Sequence, residues 1–308
     1  MFPGMKSGEA RMRIHQHTLS RPVGFSGVGL HSGIESSARI VPAGPGTGIV
    51  FRRIDLGVDI PANVENVVET SYATVIAAGG ARVSTIEHFL AALYAMQIDN
   101  AIVEVDGPEL PVLDGSALDV ARALFECGSF RQPARRKFLR VWENGKIRRN
   151  GSLVTLSPSE DFEVLVTVDF PGTAIGRQWA KFTLDPESFL REIAPARTFV
   201  LREQIDALLA AGLAKGGSLD NAIVVEGDKV HNNEGLRFPN EFARHKLLDF
   251  IGDIALLGLP VRGSFVAVRP GHTVNRDLTA HLAALPDNRT AVSRKQENTG
   301  ASAQLITA

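Results

Sequence analysis

Apolar residues recur along this chain with two periods, one typical of strands and one typical of helices. Alternation of apolar and polar positions predicts strands at 35–41, 49–54, 102–105, 153–156, 163–168 and 265–268. Segments with one apolar face predict helices at 88–96, 118–125, 186–193, 201–211 and 241–257. Because both halves of the chain mix the two kinds of element, the pattern predicts an α+β protein.

The stretch 128–137 interrupts this pattern, because it contains Pro133 and four basic residues. It is our candidate linker between two halves of similar length. We therefore expect one domain over 12–130 and a second over 138–286. The final residues, 287–308, lack a sustained apolar period and are expected to form a flexible tail.

The predicted helix 241–257 carries a line of polar residues on an otherwise apolar segment. His245, Asp249 and Asp253 recur at every fourth position, which places them on one helix face, one turn apart. A buried carboxylate needs a cationic partner or a metal ion, and a His/Asp pair at this spacing suits zinc. The spacing also suits a hydrogen-bonded pair at the rim of the core, so the segment alone leaves both interpretations open.

A second group of candidate residues lies at the predicted start of helix 88–96. Ser84 and Glu87 fit a capping box, in which the glutamate returns to the amide of the cap residue. Glu87 also precedes His88, and hydrolytic zinc sites use a metal-binding histidine with a glutamate that takes a proton from water. The spacing is not that of an HExxH protease motif.

The composition is that of a globular protein, with 308 residues of which 44% are hydrophobic and 22% charged. Its 33 basic and 34 acidic residues give a formal net charge of -1, which argues against a nucleic-acid partner or a polybasic membrane contact. The one cysteine, Cys127, excludes an intrachain disulfide and a CxxC motif. No apolar run approaches the ~20 residues of a membrane span, and no signal-peptide pattern is present, so we expect a cytoplasmic protein without an integral membrane segment.

Short motifs follow one another in a fixed order at 27–33, 84–88, 111–117, 196–199, 216–218, 236–238, 244–249 and 271–272. This series resembles the UDP-3-O-acyl-N-acetylglucosamine deacetylase family, the zinc-dependent enzymes of lipid A biosynthesis. The resemblance extends from about residue 17 to about residue 285. So many separated motifs in the same order make a chance match very improbable.

The resemblance implies a fold, a cofactor and a substrate. The fold would be two similar β-α-α-β sandwich domains, each with a small insert, with the active site between them. One catalytic Zn²⁺ ion would be bound by His88, His245 and Asp249, with one position left for water. The partner would be a small molecule, an acylated UDP-N-acetylglucosamine, and the family suggests a monomer.

The implied reaction is zinc-dependent hydrolysis of the N-acetyl group, which gives acetate and a free amine in the committed step of lipid A biosynthesis. Glu87 matches the general base, while Lys246 and Thr198 match groups that stabilise developing charge. His272 matches a general acid, and Asp253 matches the carboxylate that orients it. Without the resemblance, His272 would be expected to be a solvated loop residue. The sequence does not decide whether Glu87 alone, or Glu87 with His272, transfers the protons.

The apolar segment 199–213 matches the insert that shelters the acyl chain in this family. The candidate residues for substrate binding there are Phe199, Ile205, Gly217 and Ser218. Ile205 also suits an ordinary helix core. His31, among glycines, matches a residue near the nucleotide diphosphate but also suits a structural turn. Because Trp142 stands where we expected a basic residue near the phosphates, the diphosphate contact is expected to come from elsewhere or to be weaker.

Two other functions remain as alternatives. A non-catalytic protein that binds sugar nucleotides or acyl chains would not need Glu87 or the three metal ligands. A zinc amidohydrolase for another N-acetyl sugar would not need the apolar insert. The chain retains both features, so the sequence favours the deacetylase.

Overall fold

The computed structural model describes residues 13–285 and 289–291. The strands of the first half are β1 (His15–Leu19), β2 (Val23–Val28), β3 (Glu35–Pro42), β4 (Ile49–Arg53), β5 (Val58–Pro61), β6 (Val67–Glu69), β7 (Val75–Ala78), β8 (Ala81–Val83), β9 (Ala101–Val105) and β10 (Ser129–Arg135). Those of the second half are β11 (Lys137–Arg140), β12 (Gly145–Arg149), β13 (Ser152–Ser157), β14 (Phe162–Phe170), β15 (Gly176–Thr183), β16 (Phe199–Leu201), β17 (Ile223–Glu226), β18 (Lys229–Val230), β19 (Val261–Val268) and β20 (Arg289–Ala291). The helices are α1 (Glu87–Ala95), α2 (Leu118–Cys127), α3 (Pro186–Ser188), α4 (Arg202–Ala210), α5 (Glu241–Ala255) and α6 (His272–Ala284).

The main sheet of the first half has the strand order β2-β3-β9-β4-β5. Its strands pair antiparallel except for β4 and β9, which are parallel. Buried and exposed residues alternate along β3, so one face of this strand packs into the core and the other faces solvent. A small sheet of β6, β7 and β8 follows β5 in the chain and precedes α1.

The main sheet of the second half is built around β19. Strands β13 and β14 flank β19, antiparallel and parallel respectively, and the sheet extends through β12, β15, β11 and β20. The small sheet β16-β17-β18 packs with α4. Together with the two-stranded sheet β1-β10, these elements make the chain a mixed α+β protein, as the apolar pattern predicts.

Helices α1 and α5 are buried on nearly every side and pack against each other. At Gly252 their backbones lie so close that a Cβ atom there would overlap the carbonyl oxygen of Glu87. Beside this contact, the Tyr94 hydroxyl of α1 accepts a hydrogen bond of 3.0 Å from the backbone N–H of Val261, in β19. The two helices that carry the candidate site are therefore in direct contact.

The predicted strands and helices are present, with ends that differ by a few residues, but two segments differ in kind. The segment 186–193 is α-helical only over Pro186–Ser188 and continues as a wider π-helical turn, Phe189–Ile193. The candidate linker is largely strand β10, which pairs antiparallel with β1. Pro133 is tolerated there because this sheet has two strands, and each has an open edge.

The ends of the described region bear on two further expectations. Within 13–285 and 289–291, none of the helices has both the length and the apolar character needed to cross a membrane. The segment 287–308, expected as a flexible tail, contains strand β20, which pairs antiparallel with β11. The other residues of that segment lie outside the described residues.

Candidate active site

A cavity of about 340 Å³ lies where the starts of α1 and α6 meet the first half of α5. Eight of the residues singled out from the sequence line it: Glu87, His88, Thr198, Phe199, His245, Lys246, Asp249 and His272. Helix α1 contributes its first turn, α5 contributes one face, and the segment that leads into β16 closes the side. Residues far apart in sequence thus share one concave surface, as ligand sites commonly do.

Three buried side chains in this cavity form a cluster suited to a metal ion. One ligand atom each from His88, His245 and Asp249 lies within 4.8 Å of the others. The Oδ1 atom of Asp249 is 3.7 Å from Nε2 of His88 and 3.4 Å from Nε2 of His245. The two imidazole rings meet edge to face, with centroids 5.2 Å apart, so both Nε2 atoms border one small space.

The surroundings of these three groups fit a divalent cation. Nδ1 of His245 is 3.1 Å from the carbonyl oxygen of Ala196, which leaves Nε2 free to act as a ligand. Burial lowers the pKa of His88 and lowers that of His245 to about 3, so both rings are neutral, as metal ligation requires. Among the described residues, Oδ1 of Asp249 is buried without a hydrogen-bond partner. A buried carboxylate oxygen without a donor is the atom that a cation would satisfy.

Lys246 supports the second oxygen of the Asp249 carboxylate. Its Nζ donates a hydrogen bond of 2.8 Å to Oδ2. Burial acts to lower the pKa of Lys246, but the Asp249 charge and this hydrogen bond raise it above its ordinary value. The lysine also lies 5.5 Å from the centre of the Phe199 ring. It is therefore a fixed positive charge at the wall of the cavity.

Glu87 is the first residue of α1, and it does not form the capping box. Ile86 occupies the N-cap position without a side-chain hydrogen bond, and Thr85 has a left-handed φ of 59°. The Glu87 carboxylate turns into the cavity instead, where Oε2 accepts a hydrogen bond of 3.1 Å from the backbone N–H of Thr74. Burial raises the pKa of Glu87 to about 7. The capping interpretation is wrong, and the group can exchange a proton near neutral pH.

Asp253, one turn beyond Asp249, lies behind His272 and orients it. Its Oδ2 is 2.9 Å from Nδ1 of His272 and accepts a second bond, also 2.9 Å, from Nδ2 of Asn275. Burial acts to lower the pKa of His272, but the Asp253 charge and hydrogen bond, with Glu87, raise it to about 9. His272 is thus a buried cation, the first residue of α6 and not the loop residue that its sequence context suggested.

A buried ion pair holds the segment that carries Thr198 against the start of α5. The Arg197 Nε donates to Oε1 of Glu241 at 2.9 Å, and both side chains are almost completely buried. Thr198 itself donates its backbone N–H to the carbonyl of Gly115, at 2.8 Å. Because Glu241 lies one turn before His245, this pair fixes Thr198 relative to that histidine.

Comparison with known proteins shows which family the chain belongs to. A family model described as UDP-3-O-acyl N-acetylglycosamine deacetylase matches residues 16–284. The chain belongs to this family. The resemblance seen in the sequence motifs is therefore confirmed.

Several curated relatives carry the name UDP-3-O-acyl-N-acetylglucosamine deacetylase. The one from Anaeromyxobacter sp. (strain Fw109-5) is 48% identical over 272 residues, which cover 88% of this chain and 90% of the relative. The one from Phenylobacterium zucineum is 45% identical, covering 89% of this chain and 95% of the relative. The one from Brucella melitensis biotype 2 is 41% identical, covering 88% and 96%. The similarity to these deacetylases therefore covers nearly the whole length of this chain and of each relative.

Four residues expected to bind a deacetylase substrate lie away from the lining of the cavity. Ile205 is in α4, and Gly217 and Ser218 form the turn that follows it, packed on the loop near Leu30. His31 lies next to Leu30, which does line the cavity, and its Nδ1 is 3.4 Å from the backbone N of Ala214. Of the residues expected to bind the substrate, Phe199 is the one that lines the cavity.

The structure also brings residues to the deacetylase cavity that the sequence reasoning missed. The wall includes Thr70, Tyr72, Thr85, Arg149, Asn150, Ser152 and Thr273. Arg149 is a half-exposed cation at the end of β12, whereas Trp142 is exposed and stacks with Arg140. The run of basic residues at 146–149 was the available signal for Arg149. The sequence offered no signal for Thr74, which bonds to Glu87, or for Asn275, which bonds to Asp253.

Proposed function

We propose that this chain hydrolyses the N-acetyl group of a UDP-3-O-(3-hydroxyacyl)-N-acetylglucosamine, giving acetate and a free amine in the committed step of lipid A biosynthesis. The curated relatives carry the name of this activity over almost their full length. The observation that carries the proposal is one cavity in which three buried metal-ligand side chains lie beside Glu87 and His272. A protein that only bound the sugar nucleotide would not need that combination.

His88, His245 and Asp249 would hold one Zn²⁺ ion. Two neutral imidazoles and one carboxylate form a ligand set that zinc prefers, and the three donor atoms already face one another. The bound ion would supply Lewis acidity, which polarises the acetyl carbonyl and makes water more acidic. The buried Oδ1 of Asp249 supports this assignment, because no protein donor competes for it among the described residues.

Glu87 would act as the general base of the reaction. As the water oxygen bonds to the acetyl carbon, a water proton passes to the Glu87 carboxylate. A pKa raised to about 7 by burial makes this carboxylate a stronger base than an exposed glutamate. The 3.1 Å bond from Thr74 to Oε2 leaves Oε1 free for the proton.

His272 would act as the general acid. When the carbon–nitrogen bond breaks, the leaving amine nitrogen needs a proton, and a cationic imidazole can supply it. Nε2 of His272 lies 4.0 Å from Oε1 of Glu87, so base and acid border the same reacting centre. Asp253 supports the role by holding Nδ1 and keeping the ring charged.

Thr198 and Lys246 would stabilise the negative charge that develops on the acetyl oxygen. Both line the cavity, and Lys246 carries a positive charge that burial has not removed. A single donor aimed at such an oxyanion typically contributes ~10²–10³ in rate. Thr198 is anchored through Arg197, so its position does not depend on a mobile loop.

The acyl chain would lie along the insert formed by β16, α4 and β17. Phe199 is the first residue of that insert and faces the cavity, and the other candidates are Ile205, Gly217 and Ser218. A second cavity, of about 270 Å³, lies between α4 and β17. We infer that Arg149, in the cavity wall, faces the diphosphate, and His31, next to the wall residue Leu30, is the second candidate.

The fold supports a division into two domains with the site between them. We propose 12–130 and 138–286 as the two units, because each contains one main sheet and two helices that pack against each other, α1 with α2 and α5 with α6. The small sheets β6-β7-β8 and β16-β17-β18 would then be the two inserts. The monomeric state and the cytoplasmic location remain predictions.

The proposed function is tested by measuring zinc content and acetate release together. Wild type and Glu87→Ala would be supplied with the acylated UDP-sugar and with UDP-N-acetylglucosamine that lacks the acyl chain. We expect one zinc per chain in both proteins and release ~10²–10⁴-fold slower in the variant. Glu126→Gln, at an exposed position on α2, is the control and should behave as wild type. Normal release by Glu87→Ala would remove Glu87 as the base, and equal release from the unacylated sugar would favour another amidohydrolase.

A further inference from the structure

Thr74, directly before β7, is a buried residue outside the lining of the cavity, with 1% of its surface exposed. Its backbone N–H donates to Oε2 of Glu87 at 3.1 Å. Its hydroxyl donates to Oδ1 of Asp253 at 2.6 Å. One residue of the first half thus bonds to a carboxylate on α1 and to a carboxylate on α5.

We propose that Thr74 is a positioning residue that holds the base Glu87 and the Asp253–His272 pair in one fixed arrangement. This inference rests on the proposed function, in which those groups take and give the protons. Thr74 acts through its neighbours and has no need to touch the substrate. Neither Glu87 nor Asp253 is among the three proposed metal ligands.

The hydroxyl of Thr74 has a distinct task at the Asp253 carboxylate. Oδ2 of that group serves both His272 and Asn275, each at 2.9 Å, while Oδ1 is bonded to Thr74. A carboxylate held at both oxygens cannot rotate about its Cβ–Cγ bond. Oδ2 therefore stays aimed at Nδ1 of His272, and the ring keeps its opposite nitrogen toward Glu87.

The short donor distance indicates a strong bond. Hydrogen bonds to ionised carboxylates are shorter and stronger than those between neutral groups. A buried acceptor that loses its donor cannot replace that hydrogen bond with one to water. Thr74 and Asp253 are both almost fully buried. Loss of the hydroxyl should therefore let the carboxylate turn and misplace His272.

The decisive comparison uses Thr74→Val and Thr74→Ser in the zinc-loaded protein. Valine keeps the shape of threonine without the hydroxyl, and we expect kcat to fall about 10- to 100-fold, with KM within about twofold and zinc content unchanged. Serine keeps the hydroxyl, so kcat should stay within about threefold of wild type. If Thr74→Val fails to fold, Thr74→Ala removes the same hydroxyl without placing a methyl group beside the carboxylate.

Thr279→Val is a matched control. The Thr279 hydroxyl is also fully buried and also bonds to Asp253, but to its backbone carbonyl, at 3.1 Å. A role in packing alone predicts similar losses of kcat in Thr74→Val and Thr279→Val, and that result would overturn the proposal. We expect Thr279→Val to lower thermal stability while kcat stays within about threefold.

A double-mutant cycle tests whether Thr74 acts through Asp253. In an Asp253→Asn background the carboxylate is already lost, so Thr74→Val should cost less than about twofold further in kcat. An equal cost in both backgrounds would contradict the proposal.

A measurement without substrate separates the inference from the proposed function. The proton on Nδ1 of His272 gives an NMR signal that a carboxylate partner shifts downfield. We expect this signal to move or broaden in Thr74→Val and to keep its position in Thr74→Ser and Thr279→Val. An unchanged signal in Thr74→Val would refute the positioning role. If wild type releases no acetate while the signal behaves as expected, the proposed function fails and the positioning of His272 stands.

Discussion

Glu87 and Asp249 are carboxylates of the same cavity that behave in opposite ways. Both are buried, with 3% and 2% of their surface exposed. Burial raises the pKa of Glu87 to about 7. Burial also acts to raise the pKa of Asp249, but its interactions with His245 and with the positively charged Lys246 outweigh that effect and lower this pKa well below its usual range. Burial of a carboxylate therefore yields a proton acceptor at Glu87 and a permanent anion at Asp249.

The difference lies in what each helix places around its carboxylate. Helix α5 sets His245 one turn before Asp249 and adds the Lys246 ammonium at 2.8 Å. Helix α1 begins at Glu87, and the carboxylate there accepts a backbone N–H from Thr74. Pairs of acids whose surroundings push their pKa values apart divide the work of a site. Asp249 suits a metal ligand, and Glu87 suits a base.

The largest effect is expected from Asp249→Asn. An amide carries no charge and is a poor ligand, so zinc content should fall far below one per chain. Acetate release should then fall by more than the ~10²–10⁴-fold that loss of a general base costs. Both are measured by metal analysis and a product assay. Asp253→Asn, one turn farther along α5, is the control and should keep its zinc. Full zinc content in Asp249→Asn would contradict the ligand assignment.

Glu87→Gln should give the next largest effect and should separate the two carboxylates. The glutamine keeps the size of the side chain but cannot take a proton. We expect kcat to fall by ~10²–10⁴-fold while zinc content stays at one per chain. Loss of zinc in this variant would mean that Glu87 is a ligand, and the contrast with Asp249 would then fail.

Lys246→Met tests the charge that distinguishes the surroundings of Asp249. Because the methionine cannot stabilise a developing oxyanion, we expect kcat to fall by ~10²–10³-fold with zinc retained. Steady-state kinetics at saturating zinc measure this loss. Lys181→Met, at an exposed position of β15, should be unaffected. A purely structural role for Lys246 would instead lower thermal stability and leave kcat unchanged.

Asp253→Asn should give the smallest of these losses, about 10- to 100-fold in kcat as for Thr74→Val, together with a shift in pH dependence. His272 must be protonated to act as an acid, so activity should decline as pH rises through its pKa of about 9. The Asp253 charge raises that pKa, and its removal lowers it, so the alkaline limb of the kcat/KM profile should move to lower pH. Asp119→Asn, exposed on α2, should leave the limb in place. An alkaline limb that stays in place in Asp253→Asn would exclude His272 as the group responsible.

Local sequence patterns predicted the helix that carries most of the site. Three polar residues at a spacing of four, in an apolar segment, indicated a buried helix with one polar face, and α5 is buried and brings His245 and Asp249 into the cavity. The same kind of local reasoning gave the wrong result at α1. There the Ser84 and Glu87 spacing fits a capping box, but the left-handed Thr85 and the N-cap at Ile86 turn Glu87 into the cavity.

The order of polar and apolar residues by itself determined the α+β class, the position of α5 and the residue types needed for a zinc ligand set. These properties depend on the spacing of side chains within one element, which the chain fixes directly. The tertiary structure alone decided that His88 approaches Asp249 from another helix, that Thr74 reaches both Glu87 and Asp253, and that Arg149 faces the cavity. Such contacts join residues distant in sequence, and they arise from how closely α1 and α5 pack and how the sheets align, which no local pattern encodes.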